Sequence, residues 1–166
     1  MIFQLGVLRG EDFYDRLLID SDCKRPESVL VVVYTRAGEV LMLERREPAG
    51  FWQSVTGSLK WGESPAAAAR RELREETGLE ADIIDCCKTN RFPIHPVWRA
   101  RYAPGTETNL EHVFRVEFAD RPEVSLDPRE HGAYRWLPRT AAAELASSWT
   151  NRDAILDYVI RGRGEA

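Results

Sequence analysis

The sequence predicts an α/β fold, a mixed β-sheet covered on both faces by helices. A continuous β-branched run at Ser28–Tyr34 (SVLVVVY) is too short for a typical helix and suits a buried strand. Further strand-like segments are interspersed with a few helical ones, and layered packing then sets helices against the sheet. A length of 166 residues suits one domain with one sizeable core.

Each element has a local reason. Ala37-Gly38 turns the chain out of the first strand, and Val40–Leu43 reads as its hairpin partner. Gln53–Thr56 is a short strand leading into a loop at Gly57. A helix is expected at about Pro65–Thr77. Ser64 is a good N-cap, and Pro65 follows at the first helical position, where a missing N–H costs nothing. Four alanines and then Glu, Leu and Arg residues propagate it. Gly78 suits the left-handed position past the last turn. On this helix Ala66, Ala69 and Leu73 share a narrow stripe expected to face the core. Ile83–Asn90, Glu111–Phe118 and Tyr134–Leu137 are later strand candidates. Thr140 is the expected cap of a helix through Ala146, and Asn151 of another through Arg161. Trp52 and Trp61 flank the Gly57 loop, where packing is the commoner use of tryptophan and stacking on a ring the alternative.

Composition narrows the class. Hydrophobic content of 43% and charged content of 30% are ordinary for a soluble globular protein. A net charge of −4 argues against a general polyanion binder, so no nucleic-acid polymer is expected as partner. Cys23, Cys86 and Cys87 lack metal-ligand spacing and read as reduced cytosolic thiols. No apolar run approaches a membrane span, and the start (MIFQLGVLRGEDF) makes a poor signal peptide. The expected location is the cytoplasm. Oligomeric state is left open. Residues 1–22 read as an N-terminal extension, and 23–166 as the functional domain.

The chemistry concentrates between Gly57 and Leu79 (GSLKWGESPAAAARRELREETGL). Glu72, Glu75 and Glu76 fall at i, i+3 and i+4, beside the core-facing stripe. Three like charges so close repel one another, and acids near a helix C-terminus oppose its dipole. A hard divalent cation reverses both penalties, because Mg²⁺ takes carboxylate oxygens and shares its shell with water and phosphate. The bland reading is a solvated charged face balanced by Arg70, Arg71 and Arg74. Gly57, Glu63 and Gly78 at fixed spacing weigh against it. Arg71 is placed to pair with Glu75 one turn on. The full pattern, G-x5-E-x7-R-E-U-x-E-E-x-G-U with U aliphatic, is present at all nine constrained positions. It is identified as the box of the Nudix hydrolases.

The flanks carry a narrower resemblance. Lys24-Arg25-Pro26, Leu41–Arg46 (LMLERR) and Phe51–Ser58 (FWQSVTGS) are similar to segments of the bacterial dihydroneopterin triphosphate pyrophosphatases, a Nudix branch serving folate synthesis. So are Arg101–Gly105 (RYAPG), Tyr134–Leu137 (YRWL) and Ser148–Arg152 (SWTNR). The resemblance runs from about Lys24 to Ile160.

That resemblance implies a Nudix-type α/β/α sandwich and an expected reaction. Water would attack dihydroneopterin triphosphate to give the monophosphate and pyrophosphate. The implied metal ligands are Glu72, Glu75, Glu76 and Glu130, holding Mg²⁺, with Mn²⁺ as a substitute. Glu75, Glu76 and Glu130 are the implied catalytic carboxylates, and Gly57, Glu63, Arg71 and Gly78 the structural positions of the box. The implied substrate contacts are Lys24, Arg45, Thr56, Phe92, Ile94, His131 and Ser148. Arg45 could clamp a phosphate bidentately. On their own residues, Glu130 and His131 read as loop positions, and Ser148 as a helix cap. Phe92-Pro93-Ile94-His95 departs from the family pattern, since Pro93 removes a backbone donor and His95 adds a titratable ring. A hydrolase of nucleoside triphosphates or dinucleoside polyphosphates is the alternative enzyme. A Nudix domain that only senses a ligand is the alternative class, disfavoured because such a domain has no need of intact metal carboxylates.

Overall fold

The computed structural model describes residues 23–160. The expected N-terminal extension and Arg161, the predicted end of the last helix, lie outside the described residues.

Strand β1 (Glu27–Thr35) is the axis of the sheet. Its side chains alternate between two cores. Val29, Val31 and Val33 point to one, and Leu30, Val32 and Tyr34 to the other. Burial on both faces explains why its sequence is a continuous apolar run rather than an alternating one.

One edge of β1 pairs in parallel with β6 (Thr108–Phe118), which pairs antiparallel with β5 (Ile84–Pro93). The other edge is divided. Gly38, in the left-handed region at φ 82°, turns the chain into β2 (Glu39–Arg45), where Tyr34 faces Val40. The N-terminal half of β1 pairs instead with β4 (Val55–Ser58). β2 pairs with β3 (Trp52–Gln53) and, along its far edge, with β7 (His131–Pro138). The expected strand Gln53–Thr56 is thus two strands that break at Ser54. Asn151 holds the break, accepting from the Ser54 amide at 2.8 Å and donating to its hydroxyl at 2.8 Å.

Helix α1 (Pro65–Thr77) lies on one face and matches its expected limits. Ser64 accepts from the Ala67 amide, and Gly78 adopts φ 71°. Ala69 and Leu73 are buried in the first core, with Ala66 partly buried against it. Helices α2 (Arg139–Leu145) and α3 (Trp149–Tyr158) cover the other face. Both caps differ from expectation. Pro138 precedes α2, with Thr140 inside it, because β7 runs directly into the helix. Ser148 caps α3 by accepting from the Asn151 amide at 3.2 Å, which frees the Asn151 side chain for Ser54. Trp52 is buried in the second core beneath the Arg135 guanidinium, 4.8 Å from its ring centroid. This is an α/β/α sandwich with a mixed seven-stranded sheet.

Candidate active site

The expected loop at Gly57 is instead part of β4, which sets Gly57 against α1. Gly57 leaves room for Glu72, because a Cβ there would overlap the Glu72 carboxylate and push it aside. Arg71 then organises the acids. Its Nε and Nη2 grip Glu63 at 2.8 and 2.9 Å. Its Nη1 donates to Glu72 at 2.6 Å and Glu75 at 3.1 Å, and Nη2 also reaches the Ser58 carbonyl at 3.1 Å. Glu63 in turn accepts from the Lys60 amide at 2.9 Å. Glu63 therefore ties the loop after β4 to the helix through Arg71. The bidentate pair holds the Glu63 carboxyl down at about 2. Burial pushes Glu72 the other way, up to about 7, against the pull of Arg71.

Glu76 points away from Arg71. It is 1% exposed, and its Oε2 accepts from the Thr56 amide at 3.3 Å. Its Oε1 lies 3.3 Å from His131 Nε2 without the alignment of a hydrogen bond, so both atoms remain unsatisfied. Burial raises the Glu76 carboxyl well above the usual range, partly offset by His131. Glu76, Glu130 and His131 present ligand atoms within 4.8 Å of one another. Glu130 comes from the loop before β7, anchored where its carbonyl accepts from the Arg46 amide at 2.9 Å.

The donor set fits a hard divalent cation. It offers carboxylate oxygens from α1 and from the loop before β7, and a buried oxygen of Glu76 that no group among the described residues satisfies.

A cavity of about 1010 Å³ opens beside these acids, the size of a nucleotide-scale ligand site. Glu72, Glu75 and Glu130 line it, as do Lys24, Arg45, Thr56, Phe92, Ile94 and Ser148. Burial and the neighbouring Arg101 hold the Lys24 ammonium below its ordinary value. Arg45 reaches the Glu47 carbonyl at 3.1 Å and lies 5.6 Å from the Trp98 ring centroid. Exposed Trp61 borders the cavity, with its indole N–H on the Cys23 carbonyl at 3.2 Å.

His131 is among the expected substrate contacts. It is 1% exposed, does not line the cavity, and stands behind Glu76. A register shift at Glu44/Arg45 pairs Arg45 with His131 at the start of β7. Sequence reasoning also missed the short 3₁₀ helix Pro96–Arg101 on the cavity rim, and the polar residues Asn109 and Glu111 in its wall. Two buried polar positions at the start of β6, Asn109 and Glu111, were the available signal.

Residues 24–158 match the NUDIX domain model. This chain belongs to the Nudix family. Within the family it is 44% identical over 147 residues to the dihydroneopterin triphosphate diphosphatase of Escherichia coli, covering 85% of this chain and 97% of that one. The Haemophilus influenzae protein of the same name is 37% identical over 148 residues, covering 84% and 91%. The solved structure of the E. coli dihydroneopterin triphosphate pyrophosphohydrolase superposes with a TM-score of 0.78 at 43% identity, covering 82% of this Nudix chain and 97% of that one.

Proposed function

We propose that this Nudix hydrolase cleaves dihydroneopterin triphosphate to dihydroneopterin monophosphate and pyrophosphate, using Mg²⁺ or Mn²⁺, as a step of folate synthesis in the cytoplasm. The observation that carries the reading is near full-length similarity to enzymes of that name, combined with an intact acidic cluster beside a large cavity.

Glu72, Glu76 and Glu130 would hold the metal, with Glu75 at its edge. A divalent ion there supplies charge neutralisation on the phosphate oxygens and acidifies the attacking water. The protein's own groups do the rest. Lys24 and Arg45 sit on the cavity wall, where they can bind the non-reacting phosphates and orient the chain of anhydrides. Arg71 fixes Glu72 and Glu75 before substrate arrives, so little reorganisation is needed at reaction. Glu130 is exposed and adjacent to Glu76, which suits it to take the proton of the attacking water. His131 positions Glu76 from behind. Ser148 and Thr56 are polar wall positions, and Phe92 and Ile94 apolar ones, suited to the body of the substrate.

Steady-state kinetics with Mg²⁺ on dihydroneopterin triphosphate, dGTP, dATP, 8-oxo-dGTP and diadenosine tetraphosphate test the substrate. The pterin is expected to give the highest kcat/KM. A value tenfold higher for any competitor would remove the pterin assignment and leave the family assignment standing.

A further inference from the structure

Asn109, Glu111 and Val113 occupy alternate positions of β6 and share one face of the sheet. Val113 packs in the core beneath α2 and α3, while the two positions before it are polar and emerge into the cavity wall. Glu111 is 6% exposed and Asn109 is 3% exposed. A neighbouring strand orients each. Asn90, directly across on β5, donates to Glu111 Oε1 at 3.3 Å. Asn109 Nδ2 donates to Ser28 on β1 at 2.6 Å, while its Oδ1 is buried with no partner among the described residues. Phe92 stands opposite Asn109 in the β5–β6 register and lines the same cavity.

The groups acting on the Glu111 carboxyl are Asn90 and Thr150, both neutral, and burial raises it above the usual carboxylate range. Among the described residues no cation compensates it, unlike Glu63 or Glu72. Glu111 accepts from Asn90 and faces Thr150, whereas the buried Asn109 Oδ1 has no partner among the described residues and is costly unless something in the cavity donates to it.

We infer that Glu111 and Asn109 form a ring-binding subsite that recognises a ring N–H beside an exocyclic amino group, with Phe92 against the ring face. That donor–donor edge belongs to 2-amino-4-oxo heterocycles, so pterin and guanine present it alike. Adenine sets a ring acceptor beside its amino group and would place a lone pair against the carboxylate. Hypoxanthine keeps the ring N–H and lacks the amino group. The inference takes its substrate class from the proposed hydrolase reading, and it explains how the phosphates can lie at the Arg71 acids while the ring is read at β6.

Comparing GTP with inosine triphosphate in the Mg²⁺-loaded wild-type enzyme tests it, since the two differ only in the amino group. KM is expected to be at least about tenfold lower for GTP, because a site built around a hydrogen bond penalises the ligand that lacks it. Glu111→Gln, nearly isosteric, should raise KM for GTP and dihydroneopterin triphosphate by about tenfold or more, with a much smaller change in kcat. The same variant should bring the GTP-to-inosine ratio close to one. Fluorescence titration with neopterin, which has no phosphate, should show weakened binding in Glu111→Gln and in Asn109→Leu. Equal KM values for the two nucleotides in wild type, or unchanged neopterin affinity in both variants, would overturn the subsite. If Glu111→Gln does not fold, the wild-type nucleotide ratio and the Asn109→Leu titration still decide. A preference for diadenosine tetraphosphate would instead remove the substrate proposal, and the guanine-to-hypoxanthine ratio would judge the subsite independently.

Discussion

Glu76 is almost wholly buried, yet among the described residues its Oε1 has no hydrogen-bond donor. A carboxylate in that state is held ready for something the protein does not itself provide. Glu76→Gln replaces that oxygen site with a neutral amide of the same shape. It is expected to lower kcat by at least about 10²-fold, as losing one preorganised electrostatic group does, with thermal unfolding little changed. A variant keeping a third of the wild-type rate at saturating Mg²⁺ would move the metal elsewhere. Because His131 backs Glu76 rather than the cavity, His131→Ala is expected to act on kcat and metal affinity and to leave substrate KM nearly unchanged. Glu72 adds a pH signature. Its carboxyl is pushed up to about 7, so proton and cation compete for it near neutrality. The proton is bound below that value and lost above it. Calorimetric titration should therefore find Mg²⁺ affinity rising as pH increases through about 7, with proton release, and Glu72→Gln should flatten that dependence.

Arg71 joins the end of β4 and the loop after it to α1, and the join has its own acid sensitivity. The Glu63 carboxyl is held at about 2 against an ordinary value of 4.5. Its folded-state value is depressed, so the stability it contributes is complete above 4.5 and is lost as pH falls toward 2. Denaturant unfolding across that window should show a smaller acid loss in Glu63→Gln than in wild type; equal losses would contradict the role of the pair. Gly57→Ala tests the other contact of β4 with α1. An added Cβ overlaps the Glu72 carboxylate, so activity and metal affinity are expected to fall while the strands of the sheet remain paired. Elements of this kind were legible in the sequence because their causes are local. Ser64, Pro65 and Gly78 fix the ends of the 13-residue α1 locally, and Gly38 fixes the hairpin. The break at Ser54 was not legible, because the residue that stabilises it is Asn151, 97 positions away. The burial of His131 against Glu76 was likewise not legible, because it brings together β7 and α1, which are distant in sequence.

At the scale of the whole molecule, the sheet separates two cores, and the cavity opens where their coverage ends. α1 brings its acids to one side of that opening, and β6 brings Asn109 and Glu111 to its wall. Lys24, Arg45 and Glu130 arrive from three other segments, which is why only the box was visible as a unit in the sequence. The arrangement suits a long anionic substrate with a polar ring at one end. Phosphorus NMR of the products formed from dihydroneopterin triphosphate by the Mg²⁺-loaded enzyme tests this most directly. Pyrophosphate and dihydroneopterin monophosphate in equal amounts, with no turnover after chelation of the metal, is the expected result. Orthophosphate with dihydroneopterin diphosphate, or turnover that survives chelation, would contradict it.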